Sequence, residues 1–343
     1  MEDTSVKIKQ HLQNHRALTK TWLDYVPPTI RPYFYLIRAH KPAGTLLLFY
    51  PCAWSVTMAC YALRAPIATA WTYVGFFLVA SSVFRSAGCV INDMWDKNID
   101  AATSRTRTRP LAAGDLTRFQ AFIFLIPQLA LGIWLFMQLN EYRSAISHTV
   151  DHCCICIVSH TLFSTVLGLS SLGVVAMYPA MKRVTDWPQA VLALCFNWGA
   201  LLGASAVAGA VDWRVYIPLY IGGACWTIEY DTAYARQDRD EDIKNGLHST
   251  TIVFGDRLRP ILMMFSLVAC ALVAYAGILN GHGFPFFVGV ALGALHLVRL
   301  LTRIDFDNKE SCNASLLNNG WFGFLVWAGA MVDYMMKMQL EIV

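Results

Sequence analysis

Charged residues are scarce in this sequence. Asp, Glu, Lys and Arg make up 15% of the 343 residues, whereas 56% are hydrophobic, and the mean hydropathy is +0.43. A soluble globular protein carries about 25% charged residues. Runs with almost no charge, such as residues 45–63 and 118–139, reach the length of about 20 apolar residues with which a helix crosses a bilayer. The composition therefore predicts an all-α polytopic membrane protein.

Other common signatures are missing. Residues 1–22 lack the apolar core of a secretory signal, and no basic stretch is joined to base-stacking aromatics, which argues against a nucleic-acid partner. The ten cysteines mostly stand singly inside apolar segments, where Cys behaves as a small hydrophobe. The His and Cys residues of the stretch 141–168 match no familiar zinc-binding spacing.

Nine apolar segments are long enough to form membrane-spanning helices. Polar loops and helix breakers separate them. The sequence therefore predicts one transmembrane bundle over residues 44–343, preceded by a polar and interfacial lead-in over residues 1–43. The predicted spans are residues 44–63, 67–90, 118–139, 155–177, 188–209, 214–230, 260–279, 284–301 and 320–337.

The basic residues are distributed unevenly between the two faces of this predicted bundle. If the N-terminus lies on side one, that side holds about 22 of the 27 Lys and Arg residues. An excess of positive charge marks the cytosolic side of a membrane protein. We therefore expect the N-terminus and the loops that follow the even-numbered spans to face the cytosol.

A cluster of polar side chains interrupts the apolar pattern where the second span ends. In INDMWDKNID, residues 91–100, Asn92, Asp96 and Asp100 are spaced four apart, so on a helix they lie along one face. Like charges at this spacing repel one another. The spacing therefore predicts a cation between them.

A second acidic cluster, YDTAYARQDRDED at residues 230–242, follows the sixth span. Asp238 and Asp242 repeat the four-residue spacing, and Asp231 lies close by. Four spans separate the clusters, and an even number returns the chain to the same face. Carboxylate and amide oxygens suit Mg²⁺, which commonly joins one or two carboxylates to substrate phosphates. The clusters therefore predict a magnesium site at the cytosolic mouth of the bundle.

Basic side chains accompany both clusters. Arg105, Arg107 and Arg109 follow the first cluster, and Lys182 lies at the same predicted face. Guanidinium and ammonium groups both bind phosphate. The alternative is a solvated rim of acids and bases at the helix ends, which is a weaker explanation for two matched clusters than for one.

These residues resemble the UbiA-type intramembrane prenyltransferases. INDMWDKNID is similar to the NDxxDxxxD motif of that family, and DRDED, residues 238–242, is similar to its second motif, DxxxD. RAHKPAGTLLLFYP (38–51), RTRPLAAG (107–114) and YPAMKR (178–183) are similar to other family segments. The branch that the sequence resembles most is 4-hydroxybenzoate polyprenyltransferase with its fungal relatives, which farnesylate aromatic polyketide acids.

The resemblance implies a metal and diphosphate site. Two Mg²⁺ ions would bind the diphosphate of an allylic prenyl donor, and the aspartates would form the catalytic set. The implied metal ligands are Asn92, Asp96, Asp100, Asp238 and Asp242.

The resemblance also implies substrate-binding residues. Arg109 and Lys182 would bind the diphosphate. Arg85, inside the second span, matches a family arginine near the aromatic acceptor; the alternative is a cation that snorkels or pairs with a carboxylate. The remaining candidates for substrate binding are Tyr178, Asp231 and Tyr234.

Two stretches depart from the family pattern. The family commonly has GxKST after its second motif, whereas residues 246–250 read GLHST, with His248 at the lysine position. Within residues 141–168 roughly twenty residues look extra, and whether they are a genuine insertion stays open.

The resemblance implies Mg²⁺-dependent transfer of a prenyl group, expected to be farnesyl, to a ring carbon of a phenolic acid of the orsellinic type in fungal meroterpenoid biosynthesis. One alternative is 4-hydroxybenzoate polyprenyltransferase of ubiquinone biosynthesis. Another, from a different class, is a secondary transporter with acidic ion sites, although transporters place such carboxylates near the bilayer midplane. The expected partners are a prenyl diphosphate donor, an aromatic phenolic acid acceptor and the lipid bilayer. The expected location is the endoplasmic reticulum or another endomembrane.

Overall fold

The computed structural model describes residues 21–147 and 154–340, and in these residues the chain is helical without β-strands. The predicted all-α class is therefore confirmed. Residues 148–153, which include His148, His152 and Cys153, and the side chains of Cys154, Cys156 and His160 lie outside the described residues. The short 3₁₀ helices are Trp22–Tyr25, Arg236–Asp238 and Gly255–Arg257. The α-helices are α1 Arg31–Leu36, α2 Ala43–Leu63, α3 Ile67–Trp95, α4 Lys97–Ala102, α5 Pro110–Ala113, α6 Arg118–Ser147, α7 Cys154–Met181, α8 Pro188–Asn197, α9 Gly199–Ala208, α10 Trp213–Ala235, α11 Arg239–Lys244, α12 Thr250–Phe254, α13 Leu258–Leu279, α14 Phe284–Arg303 and α15 Lys309–Leu340.

Seven helical segments of the described chain are long and apolar enough to cross a membrane. Two of the nine predicted spans, 214–230 and 320–337, are not among these segments. They lie in α10 and α15, which are long but carry charged side chains, including Glu229 and Asp231 in α10 and Asp333 and Lys337 in α15. The predicted count of nine is therefore not confirmed, although every predicted span lies on helix. The seven segments are Ala43–Leu63, Ile67–Trp95, Arg118–Leu139, Phe163–Arg183, Pro188–Ala208, Thr250–Leu279 and Phe284–Arg303.

The chain divides into two compact units. The first unit comprises residues 1–44 and 82–132, and the second comprises residues 45–81 and 133–343. Each unit contains one acidic motif, and each is described by itself below. The predicted division into a lead-in over residues 1–43 and a transmembrane bundle over residues 44–343 stays a prediction.

The core of the first unit packs α1 against the C-terminal part of α3. Leu36 of α1, Val90 of α3 and Leu111 of α5 are fully buried and belong to one hydrophobic cluster. Leu125 of α6 packs in the same cluster. Burying a side chain of this size contributes about 1.5–3 kcal/mol, so the cluster fixes the segments that carry the first acidic motif.

The core of the second unit contains a group of large aromatic rings. Trp54 of α2 and Trp226 of α10 are buried, with ring centroids 5.4 Å apart, and Phe322 of α15 packs against both. Trp54 Nε1 donates to the Gly323 carbonyl at 2.8 Å, and Trp226 Nε1 donates to Asn319 Oδ1 at 3.0 Å. An unpaired indole N–H is costly in apolar surroundings, so these bonds fix the register of α2, α10 and α15.

Two glycines allow α14 and α15 to approach closely. A Cβ atom on Gly289 would lie 2.9 Å from the Cα atom of Gly329. No side chain fits into that space. Small residues at such a contact let helices pack in a membrane, where lipid is as apolar as the side chains.

A buried His–Asp pair holds the loop between α13 and α14. His282 Nδ1 lies 2.7 Å from Asp333 Oδ2, and the Gly283 N–H donates to the same oxygen at 2.8 Å. Both side chains are buried. A carboxylate at the start of a helix accepts its unpaired N–H groups, so Asp333 of α15 caps α14. Neither His282 nor Asp333 belongs to an acidic motif.

Candidate active site

The first acidic motif lies where α3 passes into α4. The Asp96 N–H donates to the Asn92 carbonyl at 2.8 Å, and the Asp100 N–H donates to the Asp96 carbonyl at 2.8 Å. The helical hydrogen-bond pattern therefore runs through all three residues, although α3 ends at Trp95 and α4 begins at Lys97. The side chains of Asp96 and Asp100 are buried.

The short helix α5 positions Arg109 beside this motif. Pro110 takes the first helical position, where a missing N–H costs nothing, and Gly114 ends the helix with φ 80°. Arg109 is left in extended conformation just before the helix. Its Nη1 donates to the two oxygens of Asp100 at 3.0 and 2.8 Å and to Oδ1 of Asp93 at 3.1 Å. The arginine expected to bind a diphosphate thus contacts the acidic motif itself.

Arg38 and Asp93 belong to the same cluster, and the sequence analysis assigned a role to neither. Arg38 Nη2 donates to Asp93 Oδ1 at 2.7 Å. The two residues are 55 positions apart, so no spacing rule joins them. The only signal in the sequence is that each lies in a segment that resembles the family, RAHKP for Arg38 and IND for Asp93.

Burial changes the acid–base properties of two groups in the first unit. The pKa of Asp100 is raised by its burial, and the Arg109 guanidinium acts in the opposite direction. Burial, together with the positive charges of Lys41 and Arg38, lowers the pKa of His40 to about 4. His40 is therefore neutral near neutral pH, and the positive charge beside the motif comes from the arginines.

Arg85 lies against the backbone at the start of α2. A Cβ atom on Gly44 would lie 2.7 Å from Nη2 of Arg85. The guanidinium thus occupies space that only glycine leaves open. Arg85 is half-buried and lies on α3, seven residues before Asn92, and its contact with a substrate stays a prediction.

The second acidic motif lies where α10 passes through a 3₁₀ turn into α11. Asp238 ends the turn Arg236–Asp238, and Asp242 lies in α11, with both side chains buried. The Leu247 N–H donates to the Asp242 carbonyl at 2.9 Å. The stretch GLHST therefore folds back directly after this motif.

Hydrogen bonds tie GLHST to the segment that carries Lys182. The His248 N–H donates to the Lys182 carbonyl at 2.9 Å, and His248 Nδ1 lies 2.5 Å from Asp186 Oδ1. Gln189 of α8 donates to Ser249 Oγ at 3.1 Å and accepts from the Thr250 N–H at 3.1 Å. Lys182 and the second motif thus belong to one hydrogen-bonded region. Asp186 and Gln189, which the sequence analysis missed, help to build it.

Basic residues around the second motif form ion pairs with acids outside the Asp238–Asp242 pair. Arg236 pairs with Asp307 at 3.1 Å, and Asp307 is 87% exposed. Lys309 pairs with Glu241 at 3.4 Å. These pairs lie largely in water, where an ion pair contributes little.

The remaining predicted substrate-binding residues lie on two helices of the second unit. Tyr178 is in α7, and Asp231 and Tyr234 are in α10. All three side chains are half-buried. Their proposed contacts with substrate stay predictions, as do the roles of the metal ligands.

The donor atoms of both motifs suit Mg²⁺. Each motif offers two buried carboxylates at a four-residue spacing, and the first adds the amide of Asn92. Within the described residues, no group of three or more His, Cys, Asp or Glu side chains is arranged to hold a metal ion. Mg²⁺ is usually held by one or two carboxylates plus substrate phosphates. The donor set therefore fits Mg²⁺ that binds together with a phosphate ligand.

Solved structures share this fold. A UbiA homologue from Aeropyrum pernix K1 aligns with a TM-score of 0.65 and 22% identity over 83% of this chain and 97% of that one. A UbiA homologue from Archaeoglobus fulgidus bound to GPP and Mg²⁺ aligns with a TM-score of 0.54 and 17% identity over 89% of this chain and 99% of that one. At these identities the likeness establishes the helical architecture.

The sequence is also similar to curated proteins. The mitochondrial 4-hydroxybenzoate polyprenyltransferase of Drosophila pseudoobscura pseudoobscura is 40% identical over 315 residues, which are 92% of this chain and 73% of that protein. That relative is mitochondrial, so the predicted endoplasmic-reticulum location is not supported. The fungal farnesyltransferase branch is not supported either.

A family model covers most of the chain. The model of the UbiA prenyltransferase family matches residues 52–150 and 152–328. These ranges include both acidic motifs, Arg85, Arg109 and Lys182. The predicted resemblance is thereby confirmed, and the chain belongs to the UbiA prenyltransferase family.

Proposed function

We propose that this protein transfers a polyprenyl group from its diphosphate to a ring carbon of 4-hydroxybenzoate, as an Mg²⁺-dependent step of ubiquinone biosynthesis. The observation that carries the proposal is the contact of Arg109 with the buried Asp100 of the first motif at 2.8 Å. Cation ligands and a phosphate-binding group are combined there in one cluster. The similarity to a mitochondrial 4-hydroxybenzoate polyprenyltransferase supports the identity of the acceptor and favours a mitochondrial membrane.

The proposed reaction exchanges one bond for another. The allylic C–O bond of the donor breaks, and its electron pair leaves with the diphosphate. A ring carbon of the phenol forms the new C–C bond, and the ring then loses a proton and regains aromaticity. An aromatic ring with an electron-donating hydroxyl group is the acceptor that such a step needs.

Residues of this chain would bind both the prenyl diphosphate and the aromatic acceptor. Arg109 and Lys182 bind the departing diphosphate, because guanidinium and ammonium groups stabilise developing negative charge in a low-dielectric site. The aspartates of each motif would hold Mg²⁺, which would supply positive charge to phosphate oxygens. Arg85 binds the acceptor carboxylate or the diphosphate, and the apolar helices exclude water from the allylic carbon.

The proposal is tested with membranes that contain the full chain. They are incubated with Mg²⁺, prenyl diphosphates from geranyl to nonaprenyl and a panel of phenolic acids that includes 4-hydroxybenzoate, and products are identified by mass spectrometry. We expect a prenylated 4-hydroxybenzoate that requires Mg²⁺ and disappears in EDTA. Product from farnesyl diphosphate and an orsellinic-type acid alone would favour the fungal reaction expected from the sequence.

A transport assay separates the remaining alternative. The purified protein is reconstituted in proteoliposomes with labelled prenyl diphosphate and 4-hydroxybenzoate. The proposed enzyme forms product in the lipid phase without accumulating free substrate in the lumen. Accumulation of a labelled substrate without product formation would support the transporter.

A further inference from the structure

Asp93 differs from Asp100 in its arginine partners. Its side chain is 1% exposed, and its Oδ1 accepts from Arg38 at 2.7 Å and from Arg109 at 3.1 Å. A buried carboxylate is costly unless it is paired and hydrogen-bonded. Arg109 also donates to both oxygens of Asp100, so two guanidiniums and two buried carboxylates form one network, in which both guanidiniums share Oδ1 of Asp93.

This geometry disfavours a metal-binding role for Asp93. A divalent cation at Oδ1 of Asp93 would meet two guanidinium groups, whereas at Asp100 it would meet the one guanidinium of Arg109, and like charges at such distances repel. The two guanidiniums come from separate parts of the chain, Arg38 after α1 and Arg109 before α5. Asp93 is the residue that joins them. A pair of guanidiniums held side by side suits the several oxygens of a polyphosphate.

The backbone at Arg38 supports the same interpretation. Its φ is 55°, and Arg64 is the other non-glycine residue of the described chain with a positive φ. Residues with a Cβ atom rarely adopt this conformation. Such outliers collect at binding sites, where the surroundings hold them in place. The arginine side chain reaches Asp93 from this position.

We propose that Asp93 is a positioning residue, which holds Arg38 and Arg109 together as one anion-binding pair for the donor diphosphate and does not bind the metal. The identity of the anion rests on the proposed function. The arrangement of the two arginines around Asp93 does not. In the reaction, Arg38 thereby joins Arg109 as a diphosphate ligand, while Asn92, Asp96 and Asp100 stay the predicted metal ligands of this motif.

The test measures pyrophosphate binding to the purified full chain by titration calorimetry, once in EDTA and once in Mg²⁺. The variants are Asp93→Asn and Asp100→Asn, and Asp333→Asn is the matched control, because Asp333 is another buried carboxylate paired outside the motifs. We expect Asp93→Asn to weaken binding about tenfold in both buffers, since charge-assisted hydrogen bonds to the arginines are lost. Asp100→Asn should weaken binding mainly in Mg²⁺. Asp333→Asn should match the wild type.

Three outcomes overturn the proposal. The first is equal affinity of wild type and Asp93→Asn in EDTA, including no binding by either. The second is a loss by Asp93→Asn that appears only with Mg²⁺, which would make Asp93 a metal ligand. The third is an equal loss by Asp333→Asn, which would mark a general effect on folding. If Asp93→Asn does not fold, Asp93→Glu keeps the charge but displaces the arginines; a measurable loss in EDTA then supports the proposal, and wild-type affinity overturns it.

The same variants separate this proposal from the function. In the transfer assay, Asp93→Asn should raise KM for the prenyl diphosphate and change kcat less. If the wild type prenylates no acceptor, the proposed reaction is wrong. The EDTA titration still decides whether Asp93 organises the two arginines.

Discussion

The two acidic motifs share a four-residue spacing but differ in their charge surroundings. In the first motif, Asp100 contacts Arg109 at 2.8 Å, and the neighbouring Asp93 contacts Arg38 at 2.7 Å. Around the second motif, Arg236 pairs with Asp307 and Arg239 with Asp240, acids that are 87% and 85% exposed. These arginines thus differ in the exposure of the acids that they contact.

Buried and exposed ion pairs contribute different amounts to the free energy of unfolding. An exposed ion pair contributes about 0–1 kcal/mol, whereas removing one partner of a buried pair leaves an uncompensated charge and costs far more. The arginines of the first motif are therefore part of its structure. The ion pairs of Arg236 with Asp307 and of Arg239 with Asp240 contribute little to stability by the same argument.

The largest effect is expected from the carboxylates that the motifs share. Asp96→Ala and Asp238→Ala should each lower kcat by roughly 100- to 1,000-fold, because each removes a ligand of the charge-stabilising site. The assay is prenyl transfer in membranes with matched protein levels. Asp307→Ala and Asp240→Ala remove exposed acids and serve as controls. Full activity of either variant would mean that its motif is not required for prenyl transfer and that the two motifs are not equivalent.

Substitution of one arginine beside each motif compares how much the two arginines contribute to the free energy of unfolding. Arg109→Gln should lower the free energy of unfolding by about 1.5–3 kcal/mol, since hydrogen bonds to charged groups are lost. Arg236→Gln should lower it by about 0–1 kcal/mol, because its partner Asp307 is exposed. Thermal unfolding in detergent measures both. Equal shifts in Tm would mean that the two motifs do not differ as described.

Substitution of Gly44 tests the place of Arg85 in the first unit. Gly44→Ala puts a methyl group where the Arg85 guanidinium lies, so the guanidinium must move. A displacement of about 1 Å at a substrate contact can cost up to 100-fold in rate, and we expect about a tenfold rise in KM for 4-hydroxybenzoate. Gly75→Ala, where a Cβ meets nothing within 4 Å, is the control. Unchanged kinetics in Gly44→Ala would remove Arg85 from the acceptor site.

The smallest effect is expected in the pH dependence of stability. The folded-state pKa of His40 is lowered from 6.5 to about 4 by burial and by Lys41 and Arg38. Between these values the unfolded chain binds the proton more readily, so stability falls as pH falls. The contribution of His40 is fully present above pH 6.5 and is lost toward pH 4. Tm of wild type should therefore drop more steeply between pH 7 and 5 than Tm of His40→Asn, and parallel curves would contradict this.

Spacing rules were sufficient for the local part of the site. Asn92, Asp96 and Asp100 were placed on one helical path from their four-residue intervals, and backbone hydrogen bonds join them in that order. Turn chemistry likewise explains RTRPLAAG, because proline starts α5 and glycine ends it. Such features depend on neighbours within one or two helical turns.

Contacts between distant segments were not predictable in this way. Arg38 reaches Asp93 across 55 positions, and His248 reaches Asp186 across 62. These pairs depend on how the helices pack, which no interval in the sequence encodes. The predicted count of nine spans is not confirmed, since α10 and α15 are long helices that carry charged residues.

The proposed function requires each motif to hold divalent metal together with a diphosphate. Mn²⁺ replaces Mg²⁺ and is counted by electron paramagnetic resonance on the purified protein with pyrophosphate present. We expect Asp100→Asn and Asp242→Asn each to lose bound Mn²⁺ and to bind pyrophosphate more weakly in its presence. If either variant retains wild-type metal stoichiometry and wild-type pyrophosphate affinity, that motif does not serve the diphosphate, and the account is contradicted.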